Sequence, residues 1–337
     1  MPVLLVTRSS ALHDAVVALC AAAGVGAQAC AEPGLVLAAW PDADLVLVGE
    51  DLADEVAALA PARRPDVHVV GLAPADAVFR SAVALGAASV IDLPEASGWL
   101  AGTLADVGER ASPGRVVGVV GGTGGAGATT LACALAQWHA VRAPTLLVDT
   151  DPLGAGLDRL LGMEDLAGVR WEGLVETAGR VGARALRESV PRRDDLGVLT
   201  WSALRRRLDL PAARRILPVA ARGHDLVVLD LARQGAPALA ELADRCDDLL
   251  VVTPATVPGL AATARLVADL GRDARAGLVV RPGGLGDADA ERLTGLPVVA
   301  VVGDQRGLAA SVDRGLGPLA GRGPLARAVR DLLTDAA

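Results

Sequence analysis

The run Val116-Val117-Gly118-Val119-Val120 leads into a glycine cluster, Gly121 to Gly127, and then into Leu131-Ala132-Cys133-Ala134-Leu135-Ala136-Gln137-Trp138. β-Branched residues favour a strand, and the alanine–leucine run favours a helix. The stretch therefore predicts strand, glycine loop and helix, the layout of a P-loop. Glycines let backbone N–H groups turn toward an anion, and the helix N-terminus adds its positive dipole end. The pattern G-x-x-x-x-G-K-[ST], laid on Gly122 to Thr129, matches at both glycines and at the threonine. Its lysine position holds Ala128.

The candidate nucleotide-binding residues are Gly122, Gly124, Gly125, Ala126, Gly127, Ala128, Thr129 and Thr130. A P-loop lysine reaches the β- and γ-phosphates and offsets charge during phosphoryl transfer. No lysine occurs anywhere in the 337 residues, and the sequence nominates no arginine in its place. The expectation is a site that takes ATP or ADP with Mg²⁺ and hydrolyses ATP weakly or not at all. The bland alternative is a glycine-rich turn that binds nothing.

Apolar residues make up 52% of the chain, enough for a sizeable core, and the length suggests two domains. With five Trp, one Phe and no Tyr, the chain lacks stacking platforms for single-stranded nucleic acid. A net charge of −8 argues against a protein that coats nucleic acid. Cys20, Cys30, Cys133 and Cys246 form no CxxC, and they read as buried thiols in a reducing compartment. Neither a signal peptide nor a membrane span is legible, so a cytoplasmic protein is expected.

In chain order, strands are predicted at 3–6, 45–48, 67–70 and 89–91, with helices at 11–23, 75–85 and 99–110. Alternating strands and helices imply a parallel sheet covered on both faces. Over roughly the first 110 residues this order, with Gly86-Ala87-Ala88 and Leu93-Pro94, resembles the receiver domain of two-component response regulators. Receiver chemistry needs acids after the first strand, an aspartate after a later one and a lysine before the late proline. Those positions hold Thr7 and Arg8, Gly49, and Leu93. Glu50 and Asp51 adjoin Gly49, but a shift of one residue redirects a side chain. The resemblance therefore implies a pseudo-receiver that docks or dimerises without accepting a phosphoryl group. The expected domains are 1–110, a Pro-Gly-bearing linker at 111–115, and a P-loop domain from 116 to 337.

Beyond the loop, Thr145-Leu146-Leu147-Val148-Asp149-Thr150-Asp151 and Asp225-Leu226-Val227-Val228-Leu229-Asp230 are apolar strands ending in carboxylates. Four apolar residues and then Asp is the pattern that holds Mg²⁺, directly or through water. P-loop, Asp-x-Asp and a later strand-terminal Asp, in this order, resemble the MinD/ParA superfamily of deviant Walker ATPases. The resemblance covers essentially the whole chain from Val116. It implies a mostly parallel sheet with helices on both faces, water positioning by Asp151 in an active enzyme, and Mg²⁺ held by Thr129 and Asp230. It also implies a nucleotide-bridged homodimer through a signature lysine, but that position holds Thr123. Arg281 stands where the family's adenine-contacting Asn follows a strand. The stretches at 296–302 and 315–319 resemble its C-terminal strand and helix.

A pseudo-receiver joined to such a domain is similar to the CpaE/TadZ-like localisation factors of pilus and secretion systems. Within that group it is most similar to actinobacterial septum-site determining proteins, as Asp230-Leu231-Ala232-Arg233 suggests. The resemblance implies a regulator recruited to a septum or pole, with partners in the division, pilus or secretion machinery. An active ATPase and a ParA-like DNA-binding partition protein are the competing readings. The arginines between 170 and 222, including Arg205-Arg206-Arg207, could contact phosphates, but acids lie among them. We read them as a solvated helix face. The segment from Pro324 to Leu333 reads as a packed final helix, not a membrane-entering one.

Overall fold

The computed structural model describes residues 3–64, 66–108, 113–176, 181–202, 208–233, 236–271, 275–319, 321 and 323–334. The chain divides into two compact units, Met1–Ser112 and Pro113–Ala337.

In the first unit the strands are β1 (Val3–Val6), β2 (Ala27–Cys30), β3 (Leu45–Gly49), β4 (Val67–Gly71) and β5 (Ser89–Asp92). All run parallel, in the order β2-β1-β3-β4-β5. β1, β3 and β4 are buried throughout because helices cover both faces, which is why they are continuous apolar runs. Alternate residues feed two cores. Leu4, Val6, Val46 and Val48 pack with Trp40, Leu52 and Val56, whereas Val3, Leu5, Leu45 and Leu47 pack with Leu12, Val16, Leu100 and Leu104.

The helix Ser10–Ala22 is capped by the Ser9 hydroxyl, which accepts from the Leu12 N–H at 3.3 Å. Two short helices, Pro33–Ala39 and Ala53–Ala58, were not expected. Their six or seven residues are too few to show a helical period. The helix expected from Ala75 starts at Val78, because Ala75 and Asp76 accept hydrogen bonds of a turn instead. The helix expected at 99–110 begins at Leu93 and runs to Gly108, with a kink at Ala96. Its expected end at Arg110, like residues 111 and 112 of the expected linker, lies outside the described residues. Arg115 already belongs to the next strand.

The second unit holds β6 (Arg115–Gly121), β7 (Thr145–Asp149), β8 (Arg192–Arg193), β9 (Leu196–Leu199), β10 (Leu226–Leu231), β11 (Asp248–Pro254), β12 (Ala276–Arg281) and β13 (Val298–Val301). Their order is β13-β12-β11-β6-β10-β7-β9-β8, parallel except for the antiparallel β8–β9 pair. That pair was not foreseen: Arg192 and Arg193 are exposed, and Gly197 interrupts the short apolar run. β10 lies between β6 and β7, so Gly121, Asp149 and Asp230 gather at one sheet edge.

The helix Ala128–Ala140 buries Leu131 to Ala136 against the sheet. The final helix, Pro324–Thr334, packs on it through Leu325 and Val329. No helix forms at 315–319. Gly315 and Gly317 take φ of 67° and 71°, a left-handed backbone that breaks helices. The helix of this region is instead Leu308–Asp313. Cys20 and Cys133 are buried as expected, but Cys30 and Cys246 are only half-buried. Among the described residues, no helix is long and apolar enough to cross a membrane.

Candidate functional site

The glycine loop leaves β6 with the Gly122 N–H donating to Val252 at 2.8 Å. It turns through Gly125 and Gly127 at φ of 70° and 98°, where a side chain would be strained. Gly127 caps the helix, so Ala128, Thr129 and Thr130 lie in its first turn. N–H groups in a first turn have no partner within the helix and face outward. Within the loop the Gly122 and Ala126 N–H groups already donate to the Val252 and Thr123 carbonyls, so the first-turn N–H groups of Ala128, Thr129 and Thr130 are the ones left for an anion.

The Thr129 hydroxyl lies beside the Asp230 carboxylate at the end of β10 and favours its charged form. Asp230 is 6% exposed, and its partner across the sheet, Asp149, is 2% exposed. Burial pushes Asp230 up to about 7, against the Thr129 hydroxyl and with added repulsion from Asp149 and Asp151. Burial likewise raises Asp149 to about 6. Opposing that shift, the Thr200 hydroxyl donates to Asp149 Oδ2 at 2.7 Å and the Asp151 N–H donates to Oδ1 at 3.0 Å. Indole Nε1 of Trp171 donates to the Asp149 carbonyl at 2.7 Å. Thr150 ties the strand ends together, donating to the Asp230 carbonyl and accepting from the Ala232 N–H, each at 2.9 Å.

The structure places Thr129 beside Asp230 and puts Asp151 on the same edge. Asp151 Oδ1, however, accepts from the Leu153 N–H at 2.9 Å, so its carboxylate caps its own turn. With Gly124 and Arg233 it lines an open cleft of about 690 Å³. On the other side of the loop, a cleft of about 100 Å³ is lined by Gly127, Thr130, Arg281 and Gln305. Arg281 Cδ lies 3.8 Å from where a Cβ on Gly127 would stand. Its guanidinium pairs at 2.9 Å with Asp304, whose side chain is 90% exposed.

The hard oxygen donors Thr129 and Asp230 fit a Mg²⁺ that keeps waters and phosphate oxygens as further ligands. Among the described residues no three acids, cysteines or histidines converge as a self-contained metal cage. The loop fits nucleotide phosphates, but Thr123 and Ala128 bring no charge to them. Sequence reasoning missed Thr150, Thr200 and Trp171 because a strand-tail threonine or a lone tryptophan carries no motif. It noted Arg281 only as a replaced Asn; no local pattern signals that the β12 end lies beside the loop.

At the corresponding edge of the first unit, Asp51 turns back instead of pointing away. It accepts from the Thr7 hydroxyl at 2.8 Å and the Arg8 N–H at 2.7 Å. Its carboxylate fills the space that a Gly49 side chain would need. The Arg8 guanidinium donates twice to Glu55, at 2.7 and 2.9 Å. In the arginine-rich segment, Arg184 pairs with Glu188, Arg187 with Asp195 and Arg214 with Glu241. Arg193 donates to the carbonyls of Leu161 and Gly162. Arg205 to Arg207 lie outside the described residues.

A family model described as the Rv3660c-like, CheY-like N-terminal domain matches residues 6–115. The Mycobacterium tuberculosis (strain H37Rv) protein Rv3660c is 36% identical over 303 residues, covering 87% of this chain and 86% of the relative. Among solved structures, a ParA family ATPase from Chlorobium tepidum is 15% identical with a TM-score of 0.57, covering 65% of this chain and 97% of its own. The septum site-determining protein MinD of Pyrococcus horikoshii, complexed with Mg-ADP, is 17% identical with a TM-score of 0.53, covering 66% and 95%. At these identities the structural likeness concerns the fold. The sequence relationship reaches further, and by it the chain belongs to the Rv3660c family, with a CheY-like N-terminal domain followed by a MinD/ParA-like α/β domain.

Proposed function

We propose that this chain is a positioning scaffold. Its MinD/ParA-like unit holds a nucleotide without turning it over, and its CheY-like unit docks a partner without being phosphorylated. The observation that carries this reading is the strand edge where Thr129 meets Asp230 beside an intact glycine loop. That edge keeps the oxygen donors a Mg²⁺–nucleotide requires. The positions that would stabilise a transferring phosphoryl group hold Thr123 and Ala128. Losing one preorganised donor costs about 10²–10³ in rate. With two absent, occupancy is the usable signal.

The process we infer is septum-site selection, with partners in the division machinery and recruitment to the septum. Support comes from a CheY-like unit joined to a fold shared with a MinD septum site-determining protein. The same domain order supports a second reading, placement of a pilus or secretion assembly. The ion pairs among the described arginines of the segment weigh against DNA binding.

A fluorescent fusion of the full chain in a mycobacterial host, with cell length scored after deletion and overproduction, tests this. The scaffold reading expects septal foci and filamentous or shortened cells. Polar foci with normal division and lost surface pili would favour the second reading. Diffuse signal and unchanged cells would overturn both.

A further inference from the structure

The two sides of the glycine loop are not equally furnished for phosphate. Loop N–H groups cradle the α- and β-phosphates of a nucleotide, whereas the P-loop lysine serves the β- and γ-phosphates. Here the N–H groups remain and both lysine positions are uncharged, at Thr123 and Ala128. Beside Gly124 the strand ends carry acids. Asp149 and Asp230 are buried side by side at the strand ends, and Asp151 borders the cleft beside Gly124. A cation stands on the opposite side. Arg281 reaches from the end of β12 to within 3.8 Å of the Gly127 Cβ position and shares a cleft with Thr130. Its acid partner, Asp304, is 90% exposed. Exposed pairs of this kind are weak, so the guanidinium is free to turn to a stronger anion. Arginine also matches phosphate through a planar fork of donors.

We propose that the loop is selective for a nucleoside diphosphate over a triphosphate, with Arg281 as the residue that binds its α- and β-phosphates. The proposal rests on the nucleotide-binding reading above. A ligand with two phosphates gains the N–H cradle and Arg281. The third phosphate gains no lysine and would extend toward the cleft that Asp151 lines with Gly124. Arg233 lines the Asp151 cleft, but no Arg233 atom lies within 4 Å of the Cβ positions of Gly124 or Gly125.

The test is calorimetric titration of the full chain with ADP and with ATP, each with Mg²⁺ and with a chelator. Parallel titrations use Arg281→Gln, Arg281→Lys, Ala128→Lys and, as a remote control on an exposed helix pair, Arg292→Gln. ADP is expected to bind more tightly than ATP. Arg281→Gln should weaken ADP about tenfold or more, the usual scale for a lost charge-assisted contact. Arg281→Lys should keep most of the affinity, and Arg292→Gln all of it. Ala128→Lys should move the preference toward ATP. ATP binding as tightly as ADP, or more tightly, in the parent chain would overturn the selectivity. ADP affinity unchanged in Arg281→Gln would overturn the role of the arginine. Absence of binding by both nucleotides at millimolar concentration, in the parent and in Ala128→Lys, would overturn the nucleotide-binding reading itself.

Discussion

Replacing Asp230 by Asn isolates the strain stored at the strand edge. Asp230 is 6% exposed and titrates near 7, raised chiefly by burial. In the unfolded chain an aspartate titrates near 3.9. An acid whose folded pKa is raised binds its proton more tightly in the folded state. The folded state is therefore unpenalised at low pH and loses stability as pH rises from about 4 through about 7. Three units at about 1.4 kcal/mol each set an upper bound of about 4 kcal/mol for the cost of the ionised group at pH 8. Asn keeps an oxygen for the Thr129 hydroxyl and carries no charge. We expect Asp230→Asn to gain about 2–4 kcal/mol at pH 8. For a unit of this size that is roughly 5–10 °C in Tm. At pH 4.5 the gain should largely disappear. Thermal unfolding of the full chain in chelator, followed by far-UV circular dichroism across this pH range, measures it. A variant that melts at or below the parent at pH 8, or by a pH-independent difference, would refute the reasoning.

Other expectations follow from the same geometry. Phosphate-release assays should find no Mg²⁺-dependent turnover in the parent, and the double substitution Thr123→Lys with Ala128→Lys should raise the rate by about 10² or more. Asp304→Asn removes the acid beside Arg281 and should tighten ADP a few-fold in titration. Trp171→Ala deletes a buried ring stacked on Trp201 and the hydrogen bond to Asp149, and should cost about 3–5 kcal/mol in denaturant unfolding. Gly49→Asp should not create a phosphoacceptor. Its Cβ would stand 2.8 Å from Thr7 and against the Asp51 carboxylate, so a loss of about 1–3 kcal/mol and no phosphoryl mass after acetyl phosphate are expected.

Most buried strands were legible because a parallel sheet covered on both faces demands unbroken apolar runs, as at Leu45–Gly49 and Leu226–Leu231. Short elements were not. Pro33–Ala39 buries only Val36, and β8 exposes both its residues, so neither leaves a period in the sequence. In the candidate site, the Thr129–Asp230 pair could be anticipated because glycine loop and strand-terminal carboxylate each carry a local pattern. Arg281 beside Gly127 and Thr200 on Asp149 could not: these contacts join residues 154 and 51 positions apart, and depend on which strands the sheet makes neighbours. The turn-capping of Asp151 is likewise a loop conformation that an Asp-x-Asp spacing does not encode.

The central claim is occupancy without turnover. Its most direct measurement is incubation of the full chain with Mg-ATP, removal of free nucleotide, and chromatographic identification of what the protein retains. The account predicts retained nucleotide, with the ATP in the mixture recovered intact and no phosphate released beyond a blank. Steady conversion of ATP to ADP and phosphate that disappears in Asp151→Ala would contradict it.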